Sequence, residues 1–119
     1  MSKRLVVIGL GYVGLPLVEA AVDAGFAVTG LDVSTRVVDG LNAGRSHVDD
    51  LSDATIGRLL AAGFSATTDA SVLADADIAV ICVPTPLAED GGPDLRAVMS
   101  ATGFVAEHLY AGMLVILES

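Results

Sequence analysis

The stretch LVVIGLGYVGLPL, Leu5 through Leu17, decides how this chain is read. Its first four residues form an unbroken apolar run, Leu5–Ile8, as expected for a strand covered on both faces of a parallel sheet. Directly behind it comes Gly9-Leu10-Gly11-Tyr12-Val13-Gly14, a G-x-G-x-x-G that opens a helical pattern. In that context each glycine has a separate task. Gly9 permits the tight turn, Gly11 leaves room for a pyrophosphate to approach the backbone, and Gly14 lets the helix pack closely on the strand. Free N–H groups of the first helical turn then face the phosphates, and the helix dipole adds to the attraction. Pro16 costs little in that turn, where its missing N–H has no intrahelical partner. Without a ligand, the same glycines read simply as a structural turn.

Working outward, Lys3 and Arg4 ahead of the apolar run Leu5–Val18 imitate a signal peptide. At 14 residues the run is short of the roughly 20 that span a bilayer, and glycines and Pro16 interrupt it. No membrane partner is therefore expected. Downstream, Asp32 closes the second apolar run, 18 residues after Gly14 and inside the expected spacing of about 20. A carboxylate there accepts hydrogen bonds from both adenosine ribose hydroxyls and repels a 2′-phosphate. NAD is the cofactor this favours over NADP. Arg36, four residues on, either softens that rejection or flanks the adenine.

The rest of the chain repeats the pattern. Ala27–Leu31, Ile78–Val83 and Met113–Leu117 read as further strands, with Phe64–Thr67 a weaker one. Helices are predicted over Tyr12–Ala24, Thr35–Ala43 (capped by Ser34) and Ala54–Ala62 (capped by Ser52 or Asp53). A short helix at Asp69–Ala74 and a longer one at Leu95–Leu109, capped by Asp94 and ending near Gly112, complete the series. The expected fold is α/β: one doubly wound, Rossmann-like parallel sheet of about five strands, helices on both faces, right-handed crossovers. Arg45–Leu51 is an irregular connection with no legible role.

Ligands of such sheets bind at the carboxyl edge of the strands. The fourth strand ends there in Val83-Pro84-Thr85-Pro86, a stiff segment that serves either as a rigid turn or as a wall beside a nicotinamide ribose. Glu118-Ser119 reach the same edge after the fifth strand. Tyr12, at the helix start, packs or touches the cofactor. Cys82 lies between Ile81 and Val83 and is expected to be a core thiol. His47 and His108 have no acid or nucleophile at catalytic spacing and read as surface or loop residues. The pairs Asp49-Asp50 and Glu89-Asp90 read as solvated loops.

Composition narrows the function classes. The 119 residues suffice for one domain, and 53% hydrophobic against 18% charged residues excludes disorder. A formal net charge of −9 repels phosphate backbones, so a nucleic-acid partner is excluded. One cysteine and no Cys/His cluster leave neither an internal disulfide nor a zinc site, which fits the cytoplasm.

GLGYVGLPL, the acid at Asp32, LNAGRS, ATTD, ICVPTPL, PDL and VILES together resemble the UDP-glucose/GDP-mannose dehydrogenase family, in order and along the whole chain. The match is to its N-terminal NAD-binding domain. GRSHVDDLSD is similar to members acting on UDP-N-acetylhexosamines. The resemblance implies a homo-oligomeric enzyme that oxidises a UDP-sugar C6 alcohol to a carboxylate with two NAD, through a thiohemiacetal and a thioester on a cysteine. By motif, Gly9, Gly11, Tyr12, Val13 and Gly14 would hold the pyrophosphate, Asp32 the adenosine ribose, and Arg36 would lie beside it. Val83, Pro84, Thr85, Glu118 and Ser119 would line the nicotinamide side. The family's pattern continues past Glu-Ser with a threonine, and its cysteine, lysine, asparagine and sugar-binding half match nothing within residues 1–119. The expectation is one domain, an excised or truncated cofactor domain without catalytic residues of its own.

Two other readings compete. A stand-alone regulatory domain that senses NAD or a nucleotide would need no nicotinamide wall. A dehydrogenase of hydroxy acids would share the fold but not these loops.

Overall fold

A computed structural model describes residues 3–83, 89, 91–92, 95–108 and 113–118. Five strands, β1 (Arg4–Ile8), β2 (Ala27–Leu31), β3 (Ser65–Thr67), β4 (Ile78–Ile81) and β5 (Leu114–Leu117), form one parallel sheet in the order β3-β2-β1-β4-β5. β1 is central: Leu5 lies beside Val28 on one side and Ile78 on the other, so the strand order reverses between β1 and β4. Among the described residues, four α-helices accompany the sheet: α1 (Gly14–Asp23), α2 (Thr35–Asn42), α3 (Asp53–Ala61) and α4 (Arg96–His108).

Alternation along β1 divides the interior. Leu5 and Val7 turn to the face covered by α1, α2 and α3, where Leu15, Val18, Leu41, Ile56 and Leu59 are fully buried. Val6 and Ile8 turn to the other face, where α4 supplies Ala101 and Val105 and a 3-10 helix, Ala70–Asp75, supplies Leu73. The first core is much the larger. Every residue of β5 is exposed, with Leu117 at 62%. Among the described residues no helix is long and apolar enough to cross a membrane.

Local chemistry sets the element ends. Ser34 caps α2 by accepting the N–H of Val37, and Ser52 caps α3 by accepting the N–H of Thr55, so Ser52 takes the role left open with Asp53. Asp69 caps the 3-10 helix through the N–H of Ser71. α1 starts at Gly14, two residues later than predicted, because Gly11–Val13 are spent on the turn; Pro16 falls in the first turn, as expected. β4 stops at Ile81, short of the predicted Val83, so Cys82 lies just past the strand yet remains buried. The predicted cap Asp94 and the predicted helix end near Gly112 lie outside the described residues.

Across the first face, the Arg58 guanidinium of α3 donates to Asp23 at 2.8 Å and to Glu19 at 3.0 Å, tying α3 to α1.

Candidate functional site

Where β1 runs out, the backbone turns through Gly9 at φ +96°, a left-handed conformation that a side chain rarely adopts. The N–H of Gly9 donates to the Leu31 carbonyl, so the ends of β1 and β2 stay joined. Gly14 is buried under this turn. Leu10, between the first two glycines, drives its side chain fully into the larger core, and Gly30 of β2 leaves the space it occupies. Gly11 is different. Among the described residues, its chain neighbours aside, no atom lies within 4 Å of the position its Cβ would take, so the backbone there stands open to a ligand.

The first turn of α1 carries its unpaired donors on this loop. Among the described residues, the N–H groups of Gly11, Tyr12, Val13 and Gly14 meet no acceptor, and the first bond of the series runs from the Leu15 N–H to the Gly11 carbonyl. Four orphan donors at the positive end of a helix dipole form an anion cradle. Tyr12 is 65% exposed and Val13 is exposed too, so Tyr12 does not pack into the core.

Asp32 follows β2 at the same edge. Its carboxylate accepts the Leu10 N–H on one oxygen and the Ser34 N–H on the other, each at 2.9 Å. Both oxygens keep lone pairs for further donors, such as a ribose diol. Its orientation is therefore fixed by the two segments it joins, the glycine loop and the start of α2.

These residues border a cleft of about 590 Å³ at the carboxyl ends of β1, β2 and β4. That is an ordinary size for a cofactor site. Gly9, Gly11, Asp32 and Val83 line it together. Gly14 serves the turn from beneath. Arg36 is exposed on the first turn of α2, and Glu118 is exposed after β5, held by its N–H to the Ile81 carbonyl; neither lines the cleft. Pro84, Thr85 and Ser119 lie outside the described residues.

Sequence reasoning missed much of the lining. Val33 and Val37 supply apolar wall beside Asp32, and Thr68 adds a hydroxyl at the end of β3. The far wall is the face of α4 that carries Arg96, Ser100 and Phe104, four residues apart and hence on one side of the helix. His47 is also there: it is a loop residue, as expected, but half-buried, with its Nε2 on the Leu10 carbonyl. His108 stays local, with Nδ1 on the Phe104 carbonyl.

Cys82 is 5% exposed. Burial pushes its thiol up to about 11, and the Glu118 charge adds to the effect. A thiol so held is protonated and no nucleophile at neutral pH.

The chain is similar to proteins of one kind. UDP-N-acetyl-D-mannosamine dehydrogenase of Pyrococcus horikoshii is 36% identical over 118 residues, covering 98% of this chain and 28% of that protein. Its solved structure superposes with a TM-score of 0.91. The enzyme of the same name from Escherichia coli K12 is 40% identical over 114 residues, covering 95% of this chain and 27% of its own length. A UDP-glucose dehydrogenase structure from Pyrobaculum islandicum, 36% identical, has a TM-score of 0.89 and matches 100% of this chain and 29% of that one. The chain thus spans little more than a quarter of the length of these relatives. The family model for the NAD binding domain of the UDP-glucose/GDP-mannose dehydrogenases matches residues 3–119. With the parallel sheet, the glycine turn and the acid after β2 already in place, the chain belongs to the UDP-glucose/GDP-mannose dehydrogenase family, as its NAD-binding domain.

Proposed function

We propose that the cleft at the β1–β4 switch point holds NAD, and that the domain serves an enzyme oxidising the C6 alcohol of a UDP-sugar to a carboxylate. In this reading Gly9, Gly11, Tyr12, Val13 and Gly14 bind the pyrophosphate. Asp32 takes the adenosine ribose and Arg36 flanks it. Val83, Pro84, Thr85, Glu118 and Ser119 form the nicotinamide side. The observation that carries the reading is the conjunction at Leu10: the loop with four unpaired N–H groups is bonded directly to the carboxylate that would read the ribose.

Each residue's task follows from its chemistry. The loop donors neutralise pyrophosphate charge without bringing in a side chain, and the open space at Gly11 lets that charge come close. Asp32 accepts ribose hydroxyls and repels a 2′-phosphate at the same place. Val33 and Val37 offer an apolar slot of the kind an adenine fills. Bound NAD supplies a hydride acceptor. Cys82 takes no covalent part, being buried and protonated. The covalent chemistry therefore belongs to residues outside this domain, which stands as a single unit over residues 1–119.

A UDP-N-acetylhexosamine is the proposed substrate class. The support is the identity to relatives named UDP-N-acetyl-D-mannosamine dehydrogenases. The intact enzyme is proposed to be a cytoplasmic homo-oligomer, the cytoplasm being where a lone thiol such as Cys82 remains reduced. Calorimetric titration with NAD and NADP tests the cofactor assignment. NAD binding tighter than NADP is expected, and the reverse order would overturn it.

A further inference from the structure

Leu10 is held from three sides. Its side chain is fully buried, its N–H donates to Asp32, and its carbonyl meets Nε2 of His47, 37 residues further along the chain. A carbonyl oxygen only accepts, so Nε2 carries the proton in this contact, whether the ring is neutral or charged.

The Leu10 carbonyl belongs to the Leu10–Gly11 peptide. None of the peptide bonds described is cis, so its C=O and the Gly11 N–H lie in one plane and point in opposite directions. Fixing the carbonyl fixes the direction of the first orphan donor of the cradle. The Asp32 bond acts on the preceding peptide, through the Leu10 N–H, and leaves this plane free to turn about the Leu10 ψ and Gly11 φ angles. Gly11 has no side chain to resist that rotation, and among the described residues the space beside its Cα is open.

The segment that delivers His47 is anchored on both sides of it. The Ser46 N–H donates to the Asp53 carboxylate at 2.8 Å, and the Ser46 hydroxyl donates to the Val48 carbonyl at 2.8 Å. Val48 and Leu51 are buried in the larger core. The irregular connection Arg45–Leu51 is therefore a fixed strap.

We infer that His47 is a positioning residue of the cofactor site: through the Leu10 carbonyl it sets the Leu10–Gly11 peptide plane and with it the donor array that receives the pyrophosphate. The inference rests on the reading of the glycine loop as the phosphate site. It assigns a task to the irregular connection Arg45–Leu51.

The test compares ligands with and without phosphate, in the full-length protein. NAD and ADP are titrated calorimetrically and adenosine by NMR, into wild type, His47→Leu and His47→Gln. The leucine variant fills similar space without a donor and is expected to weaken NAD and ADP roughly three- to tenfold, the effect of one lost hydrogen bond. Adenosine affinity stays within about twofold, since adenosine uses none of the loop donors. The glutamine amide can donate to the same carbonyl and restores most of the NAD affinity. Should His47→Leu not fold by circular dichroism, His47→Met takes its place.

Unchanged NAD affinity in the donor-less variant overturns the inference. So does equal weakening of adenosine and NAD, or a glutamine variant no better than leucine. A Gly11→Val control separates the two levels. If it keeps wild-type NAD affinity, the loop is not the phosphate site. If it loses NAD while His47→Leu keeps it, only the role of His47 fails.

Discussion

The Cβ that Gly14 lacks would lie 1.7 Å from the carbonyl oxygen of Gly9. The first and last glycines of the loop are thus pressed together, backbone against helix, with the Cys82 Cβ only 3.3 Å from the same point. At Gly11, between them, no described residue other than its chain neighbours comes within 4 Å of the corresponding point. One motif therefore contains positions that fail in different ways.

Gly14→Ala should destabilise the fold, because backbone has to move to admit the methyl group. Overpacking of this kind costs about 1–3 kcal/mol, and a rigid neighbour puts it at the upper end. Thermal unfolding measures the loss. Gly11→Val should leave the far-ultraviolet circular dichroism native and abolish NAD binding, a branched side chain now standing where the pyrophosphate approaches. A Gly11→Val protein that binds NAD normally would falsify the phosphate assignment.

Asp32→Ala should weaken NAD and narrow the gap to NADP. It removes the ribose acceptor and also frees the Leu10 and Ser34 N–H groups, each bonded at 2.9 Å. A lost charged hydrogen bond corresponds to about 1–3 kcal/mol in NAD affinity. Parallel titrations with both cofactors read the two effects, and equal losses for NAD and NADP would count against a contact to the ribose 2′ position.

Asn42→Ala should cost about 1–3 kcal/mol without touching cofactor affinity. The Asn42 amide makes a pair of hydrogen bonds with the edge strand: its Nδ2 donates to the Ala66 carbonyl at 2.9 Å, and the Ala66 N–H donates to its Oδ1 at 3.0 Å. It stands in for a further strand beside β3. Chemical denaturation of the variant gives the stability, and an unchanged midpoint would mean that water replaces the amide at no cost.

Cys82 makes stability depend on alkaline pH. The ordinary thiol value is 9.0 and the buried one about 11, so the folded chain keeps a proton that the unfolded chain gives up. The resulting stability is complete below pH 9.0 and is lost as pH rises through about 11, by an amount on the order of 2 kcal/mol. Denaturation midpoints across that range check it, and Cys82→Ala should flatten the profile. At neutral pH a thiol reagent should label Cys82 slowly until denaturant is added. With a UDP-sugar and NAD, residues 1–119 alone should give a flat NADH absorbance trace.

Much of this was legible because short apolar runs and caps are local signals. Leu5–Ile8 and the Ala27–Leu31 strand, the Ser34 cap and the glycine turn with its acid at Asp32 lie where their spacing predicts. The rest depends on what the fold brings together. His47 has no periodic or chemical neighbour in the chain, and only the packing of Val48 and Leu51 carries it to Leu10. Arg96, Ser100 and Phe104 share a helix face by spacing, but Ala101 and Val105 are the buried residues of that helix, and nothing in the spacing says which face borders a ligand. Arg36 is exposed on the first turn of α2, which its position four residues after Asp32 does not tell.

The unequal cores have a consequence for how the molecule breathes. The floor of the cleft, from β1 through Leu10 to α1, rests on the layer where Leu15, Val18, Ile56 and Leu59 are sealed. Its far wall, α4, is fastened by Ala101 and Val105, and the neighbouring β5 buries none of its residues. Amide hydrogens of α4 and β5 should therefore exchange through small openings, and those of β1 and α1 through unfolding of the whole, which hydrogen exchange would measure. A ligand seated across the β1–β4 seam touches both layers and lends the wall the permanence of the floor, so the slowing of exchange in α4 reports occupancy of the site from its opposite side.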